Sequence, residues 1–364
     1  MTDHPYKAAP TRAFWRRSVS TLQAEAIDPV TPPHFDRIDK STKVVSAGSC
    51  FASNIARYLI EAGHNYLVTE NLHPAVYSIN PGWWKKLGYG VYSAHYENIY
   101  TPLQMHQTLL RAYGISRPIE DRWVRDDGAV IDPFRPNLPH PANSVAEFDL
   151  LQQQHYQAVR AAFEQAEVFV FTLGLTEAWR SKQDGFVFPV CPGTIEGAFD
   201  PSKHEFVNFT VEEIHEHVKA FCSFLREKNP SLRIILTVSP VPLVATATEN
   251  HVVAATVYSK SVLRVAAEMA SQSVPNLAYF PSYEIICGPQ ASGAYFKHDR
   301  RSVSEDGIKH VMRLFFEHFT TNEGSAAEPR QEVSKDAQMN VAIAAAEERA
   351  CEEEMVEINA RRSA

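Results

Sequence analysis

The chain has 364 residues, 45% of them hydrophobic and 21% charged, which supports a sizeable core and excludes wholesale disorder. Its net charge of −8, from 43 acidic and 35 basic residues, argues against a protein built to neutralise nucleic-acid phosphates. No apolar run reaches about 18 residues, so no membrane span is expected. The N-terminus shows no apolar secretory segment. The five cysteines (50, 191, 222, 287 and 351) are scattered and form no CxxC pair. That pattern fits a reducing cytoplasm and gives neither a disulfide framework nor a zinc cage, and no metal or cofactor is expected.

Residues 1–40 read as an N-terminal arm, because Pro5, Pro10, Pro29, Pro32 and Pro33 break any long element. Trp15, set among Arg12, Arg16 and Arg17, suits an arm that packs back on the domain or one that binds a partner. The core, residues 41–320, opens with a buried strand at Val44–Ala47 running into Gly48. A helix at Asn54–Ala62 follows, with Ile55, Tyr58, Leu59 and Ala62 at helical spacing and Gly63 as its stop. A strand is expected at Asn65–Val68. Residues 71–140 form an aromatic-rich insertion with one helix, Pro102–Tyr113. Its aromatic residues (Tyr77, Trp83, Trp84, Tyr89, Tyr92, Tyr96 and Tyr100) either line a cleft for sugar rings or pack the insertion itself. Gly82, Gly88 and Gly90 form no phosphate loop.

Regular alternation then returns. Helix Val145–Gln165 leads into strand Val168–Leu173, helix Val211–Glu227 into strand Arg233–Val238, and helix Val252–Ser271 into strand Ala278–Phe280. Helix Glu305–Thr320 closes the core. Apolar strands between such helices predict an α/β fold with a mostly parallel sheet covered on both faces. Residues 321–364 are an acidic Ala/Glu-rich tail whose helix-prone run is Gln331–Asn359. A solvated or loosely docked helix and an oligomerising helix both fit it, so the oligomeric state stays open. His215-Glu216-His217 places two histidines at i and i+2 on a helix, where they diverge too far for one metal.

Parallel sheets collect reactive groups where strands end. The first such exit is Ala47-Gly48-Ser49-Cys50-Phe51-Ala52. A buried strand turns through Gly into a helix, with two nucleophile types in the turn. The helix start offers N–H groups that favour a thiolate and a bound oxyanion. Cys as a small buried hydrophobe and Ser as a helix cap are the bland alternatives.

Gly48-Ser49-Cys50-Phe51-Ala52 resembles the name motif of the GSCFA family, which looks like a branch of the SGNH (GDSL-type) hydrolases. Asn98–Thr101, Phe171–Trp179, Leu236–Leu243 and Phe280–Glu284 resemble further family signatures, so the likeness covers roughly residues 40 to 318. It implies a three-layer α/β/α flavodoxin-like domain and acyl chemistry. The substrate would be an acylated small molecule or a glycan, acted on by ester hydrolysis or acyl transfer. Laid on the superfamily's Gly-Asp-Ser block, the nucleophile position falls on Cys50 and the Asp position on Ser49; Cys50 is preferred over Ser49. The Gly-x-Asn-Asp block falls on Gly174-Leu175-Thr176-Glu177. There Gly174 or Thr176 would hold the oxyanion, and Glu177 would orient a base or bind a substrate hydroxyl. The Asp-x-x-His block falls on Asp299 to Ser302. Asp299 is present, but Ser302 stands where the histidine would be, and a serine is no general base near neutral pH. His251, at a neighbouring strand exit, ranks first as a replacement and His298 second, with His310 too deep in its helix. The same departures suit a non-catalytic binding or assembly protein that keeps the fold. A redox-active Cys50 would need Cys191 or Cys287 within disulfide reach.

Overall fold

The structure, a computed structural model, describes residues 4–71 and 87–321 together with Met355, Val356 and Asn359. Tyr77, Gly82, Trp83 and Trp84 and most of the tail lie outside the described residues. In chain order the elements are α1 (Trp15–Ser18), β1 (Val44–Gly48), α2 (Ala52–Glu61), α3 (Pro102–Ala112), β2 (Trp123–Val124), β3 (Val130–Ile131), α4 (Val145–Gln165) and β4 (Val168–Leu173). They continue with β5 (Glu177–Ser181), β6 (Val187–Phe188), β7 (His204–Asn208), α5 (Val211–Lys228), β8 (Arg233–Val238), α6 (Val252–Ser273), β9 (Leu277–Phe280), α7 (Ser282–Cys287) and α8 (Glu305–Phe319).

The central sheet is parallel, in the order β1-β4-β8-β9. Every residue of β1 and β4 is buried, as a strand covered on both faces requires. Successive side chains leave opposite faces and so divide the core in two. Val45, Phe169, Phe171 and Leu236 pack with Leu109, Phe163, Phe221 and Leu263 from α3, α4, α5 and α6. Val44, Val168, Val170 and Ile235 pack with Ile55 and Leu59 of α2 and Phe315 of α8. The three-layer α/β/α arrangement expected from the sequence is therefore present. The arm lies on this second layer: Ile38 pairs with Thr320, and the Arg313 guanidinium donates to the Glu25 carbonyl.

The strand expected at Asn65–Val68 is reduced to one parallel bridge, Val44 to Tyr66. The insertion explains the loss, because it takes the rest of that sheet edge. The Ser46 N–H donates to Ser93 Oγ (3.1 Å), the Tyr96 hydroxyl donates to the Ser46 carbonyl, and the Ile99 N–H donates to the Gly48 carbonyl (2.9 Å). With that bridge counted as the second strand, the order matches the flavodoxin-like doubly wound pattern. Its switch point lies between β1 and β4. A small antiparallel sheet, β6-β5-β7, follows β4 in a stretch where no element was expected. Among the described residues, no helix is long and apolar enough to cross a membrane.

Candidate active site

Gly48 ends β1 with φ +146°, and a Cβ there would sit 2.5 Å from the Thr172 carbonyl oxygen on β4. Only glycine makes this turn without moving a neighbouring strand. The chain then enters α2 through tight bonds. The Ser49 carbonyl accepts from the Ala52 N–H at 2.8 Å, and the Cys50 carbonyl accepts from Ser53 Oγ at 2.7 Å. These bonds fix the backbone at both candidate nucleophiles. The Phe51 N–H on the same turn has no acceptor among the described residues.

The two side chains then part company. Ser49 is buried, and its hydroxyl has no hydrogen-bond partner among the described residues. Cys50 is partly exposed and opens onto a cleft of about 280 Å³. Asn54, His95, Glu97, Asn98 and Ser302 share that cleft.

His95 comes from the insertion, and neither periodicity nor the block pattern singled it out. Its Nε2 lies 2.9 Å from Glu97 Oε1, and the two side chains are only 8% and 13% exposed. The backbone of His95 is held from both sides: its N–H donates to Glu70 Oε2 (2.7 Å), and its carbonyl accepts from Arg135 Nη1 (3.2 Å). Glu97 itself adopts φ +56°, a left-handed conformation that side-chain-bearing residues rarely take. Strain of this kind persists where the surroundings enforce it, and it clusters at functional sites. Asn98 is oriented by the Tyr92 hydroxyl, 2.8 Å from its Oδ1, so Nδ2 is the donor arm of that amide. The one sequence signal that pointed here is position: His95-Tyr96-Glu97 immediately precedes the Asn98–Thr101 signature.

The structure spends several expected site residues elsewhere. The Gly174 N–H donates to the Tyr100 carbonyl at 2.9 Å, and the Gly174 carbonyl accepts from the buried Lys260 ammonium at 2.7 Å. Thr176 is buried; its hydroxyl donates to Asn208 Oδ1 (2.7 Å) and its N–H to Ser259 Oγ (3.0 Å). Glu177 accepts from Thr246 Oγ1 and from the Ala247 N–H, and so holds a loop. His251 is exposed and caps α6, its Nδ1 accepting from the Val253 N–H at 3.2 Å. Neither His251 nor His298 lines the Cys50 cleft. His310 is bound to the Tyr295 hydroxyl at 2.8 Å, and burial above all lowers its pKa. Asp299 accepts from the Arg301 and Ser302 N–H groups and from Ser302 Oγ (2.5 Å). Slight burial raises the Asp299 pKa, but the Ser302 hydroxyl and these two N–H groups outweigh it and lower the net value. Asp299 thus supports a tight turn. Ser302 does reach the cleft, at the place where the resemblance expects a histidine.

The other described cysteines are poorly placed as nucleophiles. Burial pushes the Cys191 thiol up to about 11 and the Cys287 thiol up to about 12. All four described cysteines are thiols. On α5, His215 lies 3.3 Å from Ser273 Oγ and His217 stacks edge-on against Phe209, so the two do not converge.

The GSCFA family model matches residues 43–315, about three-quarters of the chain. The chain belongs to the GSCFA family. No curated protein matches its sequence. Among solved structures, a chain described as a GDSL-like lipase from Parabacteroides merdae is similar at 14% identity, over 47% of this chain and 67% of that one, with a TM-score of 0.27. So slight a likeness carries no argument about activity. The GSCFA motif itself builds the Gly48–Ala52 turn, and the cleft it opens onto is shared between the insertion and the segment from Lys297 to Ile308.

Proposed function

We propose that this GSCFA protein is an acyl hydrolase or O-acyltransferase with Cys50 as nucleophile, His95 as base and Glu97 as the carboxylate that orients the base. One observation carries the reading. A partly exposed thiol at the exit of β1 shares a cleft with a buried histidine–carboxylate pair, while the neighbouring serine is buried. With Nε2 2.9 Å from the Glu97 carboxylate, an ion-pair contact rather than an aligned hydrogen bond, Nδ1 is the ring nitrogen left to accept a proton.

In the first half-reaction His95 takes the thiol proton as sulfur attacks an ester carbonyl. A C–S bond forms, the ester C–O bond breaks, and His95 returns the proton to the departing alkoxide. In the second half, water or another hydroxyl attacks the thioester, gives its proton to His95 and releases Cys50 sulfur, which recovers that proton. The Phe51 N–H and the Asn98 amide stand on the same turn and cleft and would stabilise the oxyanion in both halves. The substrate class is an acylated small molecule or a glycan ester; nucleic acid has no part in this reading. A thiol nucleophile suits the reducing cytoplasm, where we place the reaction.

Incubation with a p-nitrophenyl ester, read by intact-protein mass, tests the proposal. The wild type and Ser49→Ala should both gain one acyl group, and Cys50→Ala should gain none. An adduct that survives in Cys50→Ala and disappears in Ser49→Ala would move the nucleophile to Ser49. No adduct on any folded form would favour a binding or assembly protein.

A further inference from the structure

A second cavity, of about 320 Å³, adjoins the Cys50 cleft. Asn137 lines both. The volume lies within the range of small-ligand sites. A further link is Arg135, which lines the second cavity and also holds the His95 carbonyl. The Arg135 side chain is 7% exposed and pairs with Asp132 at 2.8 Å.

We infer that this second cavity is the acceptor subsite for a neutral, hydroxyl-bearing sugar, which makes the enzyme a transferase; the inference rests on the Cys50 reading above. The wall charges are already balanced, Arg135 by Asp132 and Arg125 by Glu196, so a charged ligand would upset the cavity. Phe148, Leu151 and Ile195 offer apolar surface for a ring face, and Asn137 and Gln152 offer amides for its rim of hydroxyls. The Arg135 guanidinium, which lines the cavity, adds N–H donors to that polar edge. In the step itself a sugar hydroxyl oxygen attacks the Cys50 thioester carbonyl and its proton goes to His95. The new C–O ester bond forms, the C–S bond breaks, and the proton passes from His95 to the released sulfur.

The test preloads the full-length enzyme with acyl groups from a p-nitrophenyl ester, then adds a panel of methyl glycosides and follows loss of the protein adduct. At least one glycoside should speed deacylation by about tenfold and appear as its own ester. Leu151→Trp, at a position 42% exposed and so tolerant of a larger ring, should form the adduct normally and lose that acceleration. Ile195→Trp, at another lining position of the same cavity, should do the same. An adduct whose lifetime no glycoside changes, or an acceleration that persists in both tryptophan variants, overturns the inference and leaves a hydrolase. If the wild type forms no adduct, the acyl chemistry fails separately. Saturation-transfer NMR with the same glycosides then decides the subsite: binding abolished by Leu151→Trp supports it, and absence of binding refutes it.

Discussion

Glu97 couples backbone strain to the orientation of His95, and two substitutions separate those effects. At φ +56° any residue with a Cβ carries roughly 1–2 kcal/mol of local strain. Glycine removes that strain but adds about 0.5–1 kcal/mol of unfolded-state entropy. Alanine removes the carboxylate and keeps the strain. Both variants lose the same 2.9 Å contact to His95, so its contribution cancels between them. Glu97→Gly should therefore be more stable than Glu97→Ala by about 0.7 kcal/mol, the difference between the mid-range values of those two effects. Urea unfolding with equal slopes reads this directly. Both variants should form the acyl adduct much more slowly than wild type, and to the same degree, because neither can hold the imidazole. Equal stabilities would refute the strain argument. Wild-type acylation by Glu97→Gly would refute the orienting role.

Three further outcomes follow from the packing. Ser49→Ala removes a buried hydroxyl that has no partner among the described residues, so chemical denaturation should show stability unchanged or raised by up to about 1 kcal/mol, with acylation retained. Gly48→Ala drives a Cβ to 2.5 Å from the Thr172 carbonyl oxygen at a positive φ; thermal unfolding should report a loss of roughly 3 kcal/mol, and acylation should fall with it. His64, His106, His155, His217 and His310 all have lowered pKa values, chiefly through burial. Below their ordinary value of 6.5 the unfolded chain binds protons that the folded chain refuses, so stability falls as pH drops. The urea midpoint should be lower at about pH 5.5 than at about pH 7.5, and a flat profile there would contradict the sign. Burial raises the Glu70 pKa, but His155 and Arg135 more than offset it and hold the carboxylate ionised; its contribution is lost only below its ordinary 4.5, a separate window.

The regular part of the fold was legible because its signal is local. β4 and the helices on either side of it announce themselves through apolar runs and helical periodicity over many residues. The β5–β7 sheet was not legible, since its strands run two to five residues and mix polar with apolar positions. The Asn65–Val68 segment has strand composition, yet whether it pairs depends on Ser93, Tyr96 and Ile99, more than twenty residues away, taking the edge of β1. The site divides in the same way. The Gly48–Cys50 turn is encoded in consecutive residues, and its glycine has a steric reason visible in the structure. His95 sits in an irregular segment with no periodicity to mark it, and tertiary contacts, among them the bonds to Glu70 and Arg135, hold it at the cleft. The superfamily block falls on Asp299 and Ser302, of which Ser302 reaches the cleft without the histidine while Asp299 holds the turn beside it.

Site-resolved alkylation by iodoacetamide at neutral pH, read by peptide mass mapping in wild type and His95→Gln, tests the Cys50–His95 pairing most directly. Cys191 and Cys287, whose thiols burial pushes up, serve as internal references. Cys50 should react first in the wild type, and His95→Gln should slow it by roughly tenfold or more while leaving the reference cysteines unchanged. A Cys50 rate that is the same with and without His95 would contradict the assignment of His95 as its base.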